Sequence, residues 1–386
     1  MNKFMSAQGG SALGGKKILL VTRPIAPPWD EGSKNFAYYL AKNLVGFEIN
    51  LMGKNDLSDL PENVRLYKVY TTSEIYQFNF LQKLRALLFQ FKTKDQFDIN
   101  HYFFTPTKLN SFLIKYFLKS EKTKTVQTVA SLRDDLWSSD DIKKLMFADL
   151  IITYSDYAKN KLNSLGFGNI KRVYPGIDLE KYQLQEKNLK LMQEKNILPT
   201  DFVINFSGEY VRLGAIDLII DSFIEISKII PTAKLSLAVR IKNEKDFQKK
   251  EEVVEKIKKN NLLERVSFFD DGKCYMPEVY NLCDISLFPV QNMHGKFDIP
   301  LAVIEAMACE KPVIFSDLEI LKELGKNDNS VIIEKDNQKQ LTDAIFDLYQ
   351  NKEKRERLGR NARKFCEENF DIQKISGIYE EIYKTL

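Results

Sequence analysis

The strongest constraint on the fold is an alternation of strand-like and helix-like segments that runs along the sequence twice. In the first half, short apolar runs typical of buried strands are separated by segments with helical periodicity. Strand, helix and parallel strand form a βαβ unit. The predicted strands are 17–22, 48–52, 99–104, 125–129, 150–154 and 171–174, with helices at 36–44 and 155–165.

A polar segment at about 179–200, rich in Lys, Glu, Gln and Asn, interrupts this alternation. The pattern then resumes and ends in a helical tail at 337–386. Two doubly wound parallel sheets follow from it, with ligands expected beyond the carboxyl ends of the strands, in a cleft between the two halves. The predicted strands of the second half are 202–206, 234–239, 266–269, 285–289, 312–315 and 331–334.

Composition excludes several classes of protein. The 386 residues carry 57 Lys+Arg against 53 Asp+Glu, so a net charge of +4 gives no reason to expect nucleic-acid binding. Four cysteines without a CxxC pair, and only two histidines, make a zinc site or a disulfide framework improbable. No run is long enough to span a membrane, and 1–15 lacks the apolar core of a signal peptide, so we expect a cytoplasmic protein.

Common nucleotide and hydrolase motifs are also missing. The sequence contains no GxGxxG after its first strand, no GxxxxGK[ST], no GxSxG and no Asp-x-Asp. We therefore expect neither a cofactor nor a metal ion. Candidate chemistry is left to the turns that join strands to helices.

The first such turn, 23–35, places Glu31, Gly32 and Ser33 before a helix. Glycine lets the backbone approach a ligand, and a helix N-terminus favours an anion. The alternative is an ordinary loop in which Ser33 caps the helix.

A second turn, at 295–314, enters a helix near Pro300, a favourable residue for a helix start. Glu305 lies about one turn inside this otherwise apolar helix. A carboxylate there is costly without a partner, and a sugar diol would be a suitable hydrogen-bond donor.

This segment resembles the signature of the GT-B glycosyltransferases of family 4, which are retaining enzymes that use nucleotide sugars. Four further stretches resemble motifs of the same family, so that the likeness covers nearly the whole chain: 155–157 with its S-x-Y/F helix start, 173–178 with PNGVD, 280–289 with Y-x-x-A-D-x-x-x-x-P-S, and 370–371 with the F-S/D before its last helix.

The resemblance implies an α/β GT-B fold of two Rossmann-like domains with a C-terminal helix that crosses back to the first. We predict a flexible N-terminus at 1–15, an acceptor-side domain at 16–178 and a connection at 179–200. A nucleotide-sugar domain at 201–368 and the crossing helix at 369–386 complete the chain.

The sequence departs from the family at four positions. Phe297 stands where the first Glu of a Glu-x7-Glu pair is usual, with Glu305 as the second. Glu209 and Gly214 stand where an Arg and a Lys usually hold the diphosphate. Ala130 replaces a histidine. A donor diphosphate still needs positive charge, because negative charge develops on the leaving phosphate.

Other residues are candidates for the missing role. Arg240 and Lys242 follow a strand on the ligand side of the sheet, with a solvated helix entry as the alternative. We predict Arg240, Lys242 and Glu305 as catalytic. The predicted donor-binding residues are Gly32, Gly208, Arg212, Lys296, Asp298, Ile299, Pro300 and Glu305.

The acceptor side is implied by Asp98-Ile99-Asn100-His101, which resembles the family's D-x-x-H strand end. His101 is therefore expected at the acceptor or the sugar, with Glu31 and Ser33 nearby. A structural histidine at a strand end is the alternative.

Residues 81–124 carry nine cations against three acids, an excess of six positive charges. Two helical runs there have apolar faces, and such helices can lie on an anionic bilayer. The alternative is that the apolar faces pack on the sheet and the lysines form a solvated rim.

The sequence thus predicts transfer of a sugar from a nucleotide-diphosphate sugar to the hydroxyl of a glycan or lipid-linked glycan, in the cytoplasm or at the inner membrane face. Two alternatives stay open. One is a sugar-nucleotide 2-epimerase on the same fold, which would need histidines and carboxylates in the cleft. The other is a catalytically degenerate nucleotide-sugar-binding subunit, suggested by the four departures.

Overall fold

The computed structural model describes residues 15–25, 32–54, 57–71, 80–104, 106–270, 274–326 and 328–386. The chain divides into two compact units. The first unit contains Met1–Gly176 and Ile372–Leu386, and the second contains Ile177–Asp371. Each has its own parallel sheet, as the repeated alternation predicts.

The sheet of the first unit has seven strands in the order β3-β2-β1-β4-β5-β6-β7, all paired in parallel. Strands β1 to β5 are mostly or wholly buried apart from β3, so their apolar runs reflect cover on both faces. The strands are β1 Lys17–Ile25, β2 Glu48–Gly53, β3 Val64–Lys68, β4 Ile99–Tyr102, β5 Lys124–Val129, β6 Leu150–Thr153 and β7 Ile170–Arg172.

Helices of the first unit connect these parallel strands. A π-helical turn, Ile114–Leu118, directly continues the helix Lys108–Leu113. The helices are α1 Gly32–Asn43, α2 Phe80–Thr93, α3 Lys108–Leu113, α4 Ser139–Leu145 and α5 Asp156–Ser164.

The second unit has a six-stranded parallel sheet in the order β10-β9-β8-β11-β12-β13. In sequence order this is 3-2-1-4-5-6, the arrangement of a dinucleotide-binding fold, with its switch point at the first strand. The strands are β8 Phe202–Glu209, β9 Ala233–Arg240, β10 Val266–Phe268, β11 Ile285–Phe288, β12 Val313–Ser316 and β13 Ser330–Ile333.

Helices of the second unit cover its sheet. The predicted helical tail is divided at Asn351 and again at Phe370, where successive helices end. The helices are α6 Leu189–Glu194, α7 Ile216–Ile229, α8 Glu244–Lys259, α9 Met276–Leu282, α10 Leu301–Ala308, α11 Glu319–Lys322, α12 Gln338–Gln350 and α13 Lys352–Asn369. The last helix of the chain, α14 Ile372–Thr385, belongs to the first unit.

Two sequence-based assignments need correction. The edge strand β3 was not predicted, because its Val-Arg-Leu-Tyr-Lys sequence mixes apolar and charged residues and lacks a continuous apolar run. The segment 179–200, predicted as a connection, belongs to the second unit. It contains α6, and its Asn188 side chain donates a hydrogen bond to Glu278 of α9 at 2.9 Å.

His101 explains how α14 is held to the first sheet. The imidazole is completely buried, with Nδ1 at 2.6 Å from the Tyr383 hydroxyl and Nε2 at 2.7 Å from the Thr128 hydroxyl. Burial holds the pKa of His101 well below its ordinary value. The expectation that His101 contacts the acceptor is therefore wrong, because both ring nitrogens are used inside the unit.

We expect His101→Ala to lower the free energy of unfolding by about 3 kcal/mol, because two buried hydroxyl groups lose their partner and a cavity forms. Limited proteolysis should then release α14 from the first unit. Chemical denaturation measures the first effect, with the exposed His294→Ala as control. Equal stability of the two variants would contradict a structural role for His101.

Candidate functional site

The predicted donor residues of the second unit meet at the carboxyl ends of its strands. Strand β8 ends at Glu209 and β9 ends at Arg240, and these two residues are register partners across the parallel pair. Helix α10 follows the turn after β11 and carries Glu305. This is the edge at which ligands bind in open parallel sheets.

Glu209 lies at the centre of a group of cations that come from three loops. Its Oε1 is 2.6 Å from Lys242 Nζ and 2.8 Å from Lys296 Nζ, and its Oε2 is 3.2 Å from Arg212 Nε. From the sequence, Glu209 was identified only as a residue that stands where the family usually has an arginine. The structure shows that it gathers three of the residues predicted to replace that cation. We call these four residues the Glu209 cluster.

The members of the Glu209 cluster differ in exposure. The side chain of Glu209 is 3% exposed, whereas those of Lys242, Lys296 and Arg212 are 19%, 22% and 41% exposed. Arg212 also donates from Nη2 to the carbonyl of Gly295 at 2.6 Å, which ties the loop after β8 to the turn that carries Lys296. The cations thus lie nearer the solvent than the carboxylate that they share.

Electrostatics in the Glu209 cluster favour the charged carboxylate. Burial by itself would raise the pKa of Glu209, but the ammonium groups of Lys296 and Lys242 outweigh it and hold that pKa at about 2. Burial lowers the pKa of Lys296 to about 8, against the opposing effect of Glu209. Burial and the charge of Arg240 also lower the pKa of Lys242.

Arg240 lies within electrostatic reach of both parts of the site. Its positive charge lowers the pKa values of Lys242 and Lys296 on one side and of the Glu305 carboxyl on the other. The predicted catalytic residues Arg240, Lys242 and Glu305 therefore belong to one electrostatic neighbourhood.

Glu305 lies on α10 among tyrosines. Its Oε2 accepts a hydrogen bond from the hydroxyl of Tyr280, on α9, at 3.2 Å, and Tyr182 also donates to the carboxylate. Burial raises the pKa of Glu305 from 4.5 to about 7, although these hydrogen bonds and the charges of Lys181 and Arg240 oppose the rise. The side chain can thus accept or donate a hydrogen bond near neutral pH.

The turn before α10 is mostly buried where it enters the helix. Asp298 and Ile299 are buried, and Pro300 is the N-cap residue of α10 with extended backbone angles. Phe297, at the position of the missing first Glu, is partly exposed. The turn therefore offers a partly exposed ring where a second carboxylate was expected from the family.

Two glycines of the second unit, Gly208 and Gly214, have structural explanations. A Cβ on Gly208 would lie 2.6 Å from a ring carbon of Phe206, so β8 needs glycine there. Gly214 has a φ of +71°, which favours glycine and explains why a lysine is absent from that position. Gly32 and Ser33 begin α1 in the first unit, and Glu31 lies outside the described residues.

Three side chains of the candidate site were not predicted as site residues from the sequence. Glu209 could have been identified from its register with Arg240, since adjacent parallel strands end together. Tyr280 lies in the stretch 280–289 that was already recognised as a motif. Tyr182, which follows the 173–178 motif, had no signal of its own. In the described parts of the chain, no group of three His, Cys, Asp or Glu could hold a metal ion.

Comparison with known proteins gives these residues a context. Residues 188–365 match the family model "Glycosyl transferases group 1". A curated relative, the capsular polysaccharide biosynthesis glycosyltransferase CapM of Staphylococcus aureus, is 28% identical over 61% of this chain and 58% of its own. The chain spans about three fifths of the length of the curated relatives that it matches.

Solved structures match over more of the chain. Alr3699/HepE of Anabaena, in complex with UDP and glucose, superimposes with a TM-score of 0.75 at 17% identity, covering 96% of this chain and 100% of that one. Sucrose-phosphate synthase of Thermosynechococcus elongatus gives a TM-score of 0.75 at 16% identity, covering 96% of this chain and 98% of that one. These structures confirm the predicted GT-B architecture, and residues 188–365 match a group 1 glycosyl transferase domain.

Proposed function

We propose that this chain transfers a sugar from a nucleotide-diphosphate sugar to an acceptor hydroxyl with retention of anomeric configuration. The observation that carries the proposal is the pairing, at one edge of the second sheet, of a cation-rich cluster with the tyrosine-bound Glu305. The complex of the similar Anabaena protein with UDP and glucose supports a nucleotide sugar as donor.

In this mechanism the cations of the Glu209 cluster and Arg240 balance the donor diphosphate. Glu305 accepts hydrogen bonds from hydroxyl groups of the sugar. The bond between the anomeric carbon and the phosphate oxygen breaks, and a bond to the acceptor oxygen forms on the same face. The leaving phosphate takes the acceptor proton, so the protein mainly positions the substrates and stabilises charge. We propose no metal ion or cofactor for these steps.

A thermal-shift screen of nucleotide sugars tests the donor part of the proposal, since a ligand that binds only the folded state raises the melting temperature. The best donor then enters a transfer assay in which NMR reads the anomeric configuration of the product. No stabilisation by any nucleotide sugar would sink the proposal, and an inverted product would overturn retention alone.

The two alternatives are less well supported. An epimerase was expected to need histidines, but His101 is fully buried and bonded inside the first unit. The degenerate-subunit hypothesis rested partly on Glu209, which instead organises three cations. An isomerised sugar nucleotide formed without acceptor would restore the first alternative, and binding without turnover would restore the second.

We further propose that the acceptor is a glycan or lipid-linked glycan, reached at the cytoplasmic face of an anionic membrane. The name of CapM, a capsular polysaccharide biosynthesis glycosyltransferase, supports a glycan acceptor. None of the helices among the described residues is long and apolar enough to cross a bilayer.

The membrane part of the proposal rests on the apolar surface of α2, α3 and the π-helical turn. Some apolar residues of these segments do pack inward, including Ile114 and Leu118. Other apolar side chains of these segments are exposed, so packing on the sheet explains only some of the apolar residues. Eight large apolar side chains are between 47% and 75% exposed: Phe80, Leu81, Leu88, Phe91, Leu109, Phe112, Tyr116 and Phe117.

Lysines surround this apolar surface. Lys94 lies 5.5 Å from the ring of Phe91, and Lys115 lies 5.8 Å from the ring of Tyr116. Residues 81–124 carry an excess of six positive charges. Apolar side chains within a basic rim match the interface of a bilayer that contains anionic lipid.

We expect the double variant Phe112→Ser/Phe117→Ser to bind vesicles on the order of tenfold or more weakly, because each phenyl ring contributes apolar burial. Co-sedimentation with phosphatidylcholine vesicles, with and without phosphatidylglycerol, measures the affinity and its dependence on charge. Leu198→Ser, at an exposed residue of the second unit, is the matched control. Equal binding of both proteins, or none by the wild type, would contradict the membrane proposal.

A further inference from the structure

We propose that Glu209 is a positioning residue for an anionic ligand: its buried carboxylate gathers cations from three separate loops into one diphosphate-binding cluster. The inference rests on the proposed function, in which this cluster receives the donor diphosphate. Glu209 would thus have a role in the site, although it stands where the family usually has an arginine.

The three cations of the Glu209 cluster come from separate loops. Arg212 follows β8, Lys242 follows β9, and Lys296 precedes α10. Without a common partner, three cations from separate loops would repel one another and leave their side chains without a fixed geometry. Both oxygens of Glu209 are used to hold them, Oε1 by the two lysines and Oε2 by the arginine.

Positive charge exceeds negative charge around Glu209. Glu209 supplies one negative charge, and Arg212, Lys242, Lys296 and the neighbouring Arg240 supply four positive charges. Pairing with Glu209 therefore leaves the group with a positive excess. The three paired cations are all more exposed than the carboxylate, so they can meet an anion from solvent while remaining bonded to Glu209. Each lysine ammonium has three donor hydrogens, of which Glu209 needs one.

Glu209 also affects the protonation of Lys296. The groups that act on Lys296 are Glu209 of β8, Lys242 of the loop after β9, and Arg240 at the end of β9. Only Glu209 raises the pKa of Lys296, which burial and the two cations lower to about 8. Without the carboxylate, Lys296 would lose its proton at a lower pH and its charge would no longer serve the ligand.

The experiment titrates the whole chain with inorganic pyrophosphate, which carries the diphosphate charge but requires no particular base or sugar. Calorimetry compares the wild type with Glu209→Gln from pH 6 to 9. We expect similar affinities near pH 6 and, at about pH 7–8, where only the wild-type Lys296 keeps most of its proton, a loss on the order of tenfold in the variant. Titration of pyrophosphate itself is common to both proteins and cancels in the comparison.

A purely repulsive effect of Glu209 on anions predicts a different result. If Glu209 merely opposed anions by its own charge, its removal would strengthen pyrophosphate binding at every pH. Equal or tighter binding by Glu209→Gln throughout the range would therefore overturn the inference while leaving the proposed transferase intact. If the wild type binds neither pyrophosphate nor any nucleotide sugar, the proposed function fails first and the inference fails with it.

Two further variants separate positioning from general stability. Glu209→Asp keeps the carboxylate and should retain the wild-type pH dependence with intermediate affinity, which keeps the test valid if Glu209→Gln does not fold. Asp201→Asn removes a partly buried carboxylate paired with Lys234 at 4.0 Å elsewhere in the second unit. It should leave pyrophosphate binding unchanged. A loss of affinity in Asp201→Asn as large as in Glu209→Gln would overturn the inference.

Discussion

Glu305→Ala should reduce sugar transfer on the order of 10²–10³-fold, the loss usual when one preorganised polar group is removed from a reacting centre. The carboxylate of Glu305, on α10, is held by the hydroxyl groups of Tyr280 and Tyr182, so its position does not depend on the ligand. A transfer assay with the best donor of the screen measures the effect. Glu225→Ala, at an exposed residue of α7, is the matched control.

The raised pKa of Glu305 should also change the stability of the protein, and this effect can be measured without substrate. The folded-state pKa of about 7 lies above the ordinary 4.5, so the protonated form is favoured by folding, and the resulting stability is lost as pH rises through 7. Glu305→Gln cannot ionise, so its melting temperature should exceed that of the wild type by about 2–8 °C at pH 8.5 and match it near pH 4.5. Parallel profiles of the two proteins would show that Glu305 has an ordinary pKa.

Arg240→Ala should weaken donor binding on the order of 10–10²-fold, because the proposed mechanism uses this charge to balance the donor diphosphate. Its charge also lowers the pKa values of Lys242, Lys296 and Glu305, so the pH dependence of activity should shift upward in the variant. Direct titration with the donor and a pH–rate profile measure the two effects.

Arg357→Ala is the control for this variant, because Arg357 is about half exposed on α13 and pairs with Asp328 at 2.8 Å. Its affinity and pH profile should equal those of the wild type. An Arg240→Ala protein that binds the donor normally would show that Arg240 is part of a solvated helix entry, the alternative left open by the sequence.

The sheets could be predicted because parallel strands covered on both faces keep continuous apolar runs. All twelve predicted strands are present, from β1 to β13 without β3. Strand β3 was missed since an edge strand needs no such run. The C-terminal helix was placed by resemblance alone, and its anchoring by His101 and Tyr383 depends on contacts 282 residues apart in the chain, which no local pattern encodes.

The sequence predicted which cations belong to the candidate site, but it did not predict how they are arranged. Lys242 was predicted as a catalytic residue, and Lys296 and Arg212 were predicted as donor-binding residues. What the sequence does not show is that all three share Glu209, because the pairing depends on loop conformations after three different strands. For His101, the sequence motif suggested a role that the structure corrects. Its motif suggested an acceptor contact, but burial on all sides is a property of the folded unit.

The central claim is that the carboxyl edge of the second sheet binds the diphosphate of a nucleotide sugar. Calorimetric titration of the nucleoside and of its diphosphate, for the base identified in the screen, tests it most directly. The account predicts that the diphosphate binds on the order of 10²-fold more tightly than the nucleoside, and that Lys242→Met/Lys296→Met removes most of this advantage. Equal affinities for nucleoside and diphosphate, or an advantage unchanged in the double variant, would contradict it.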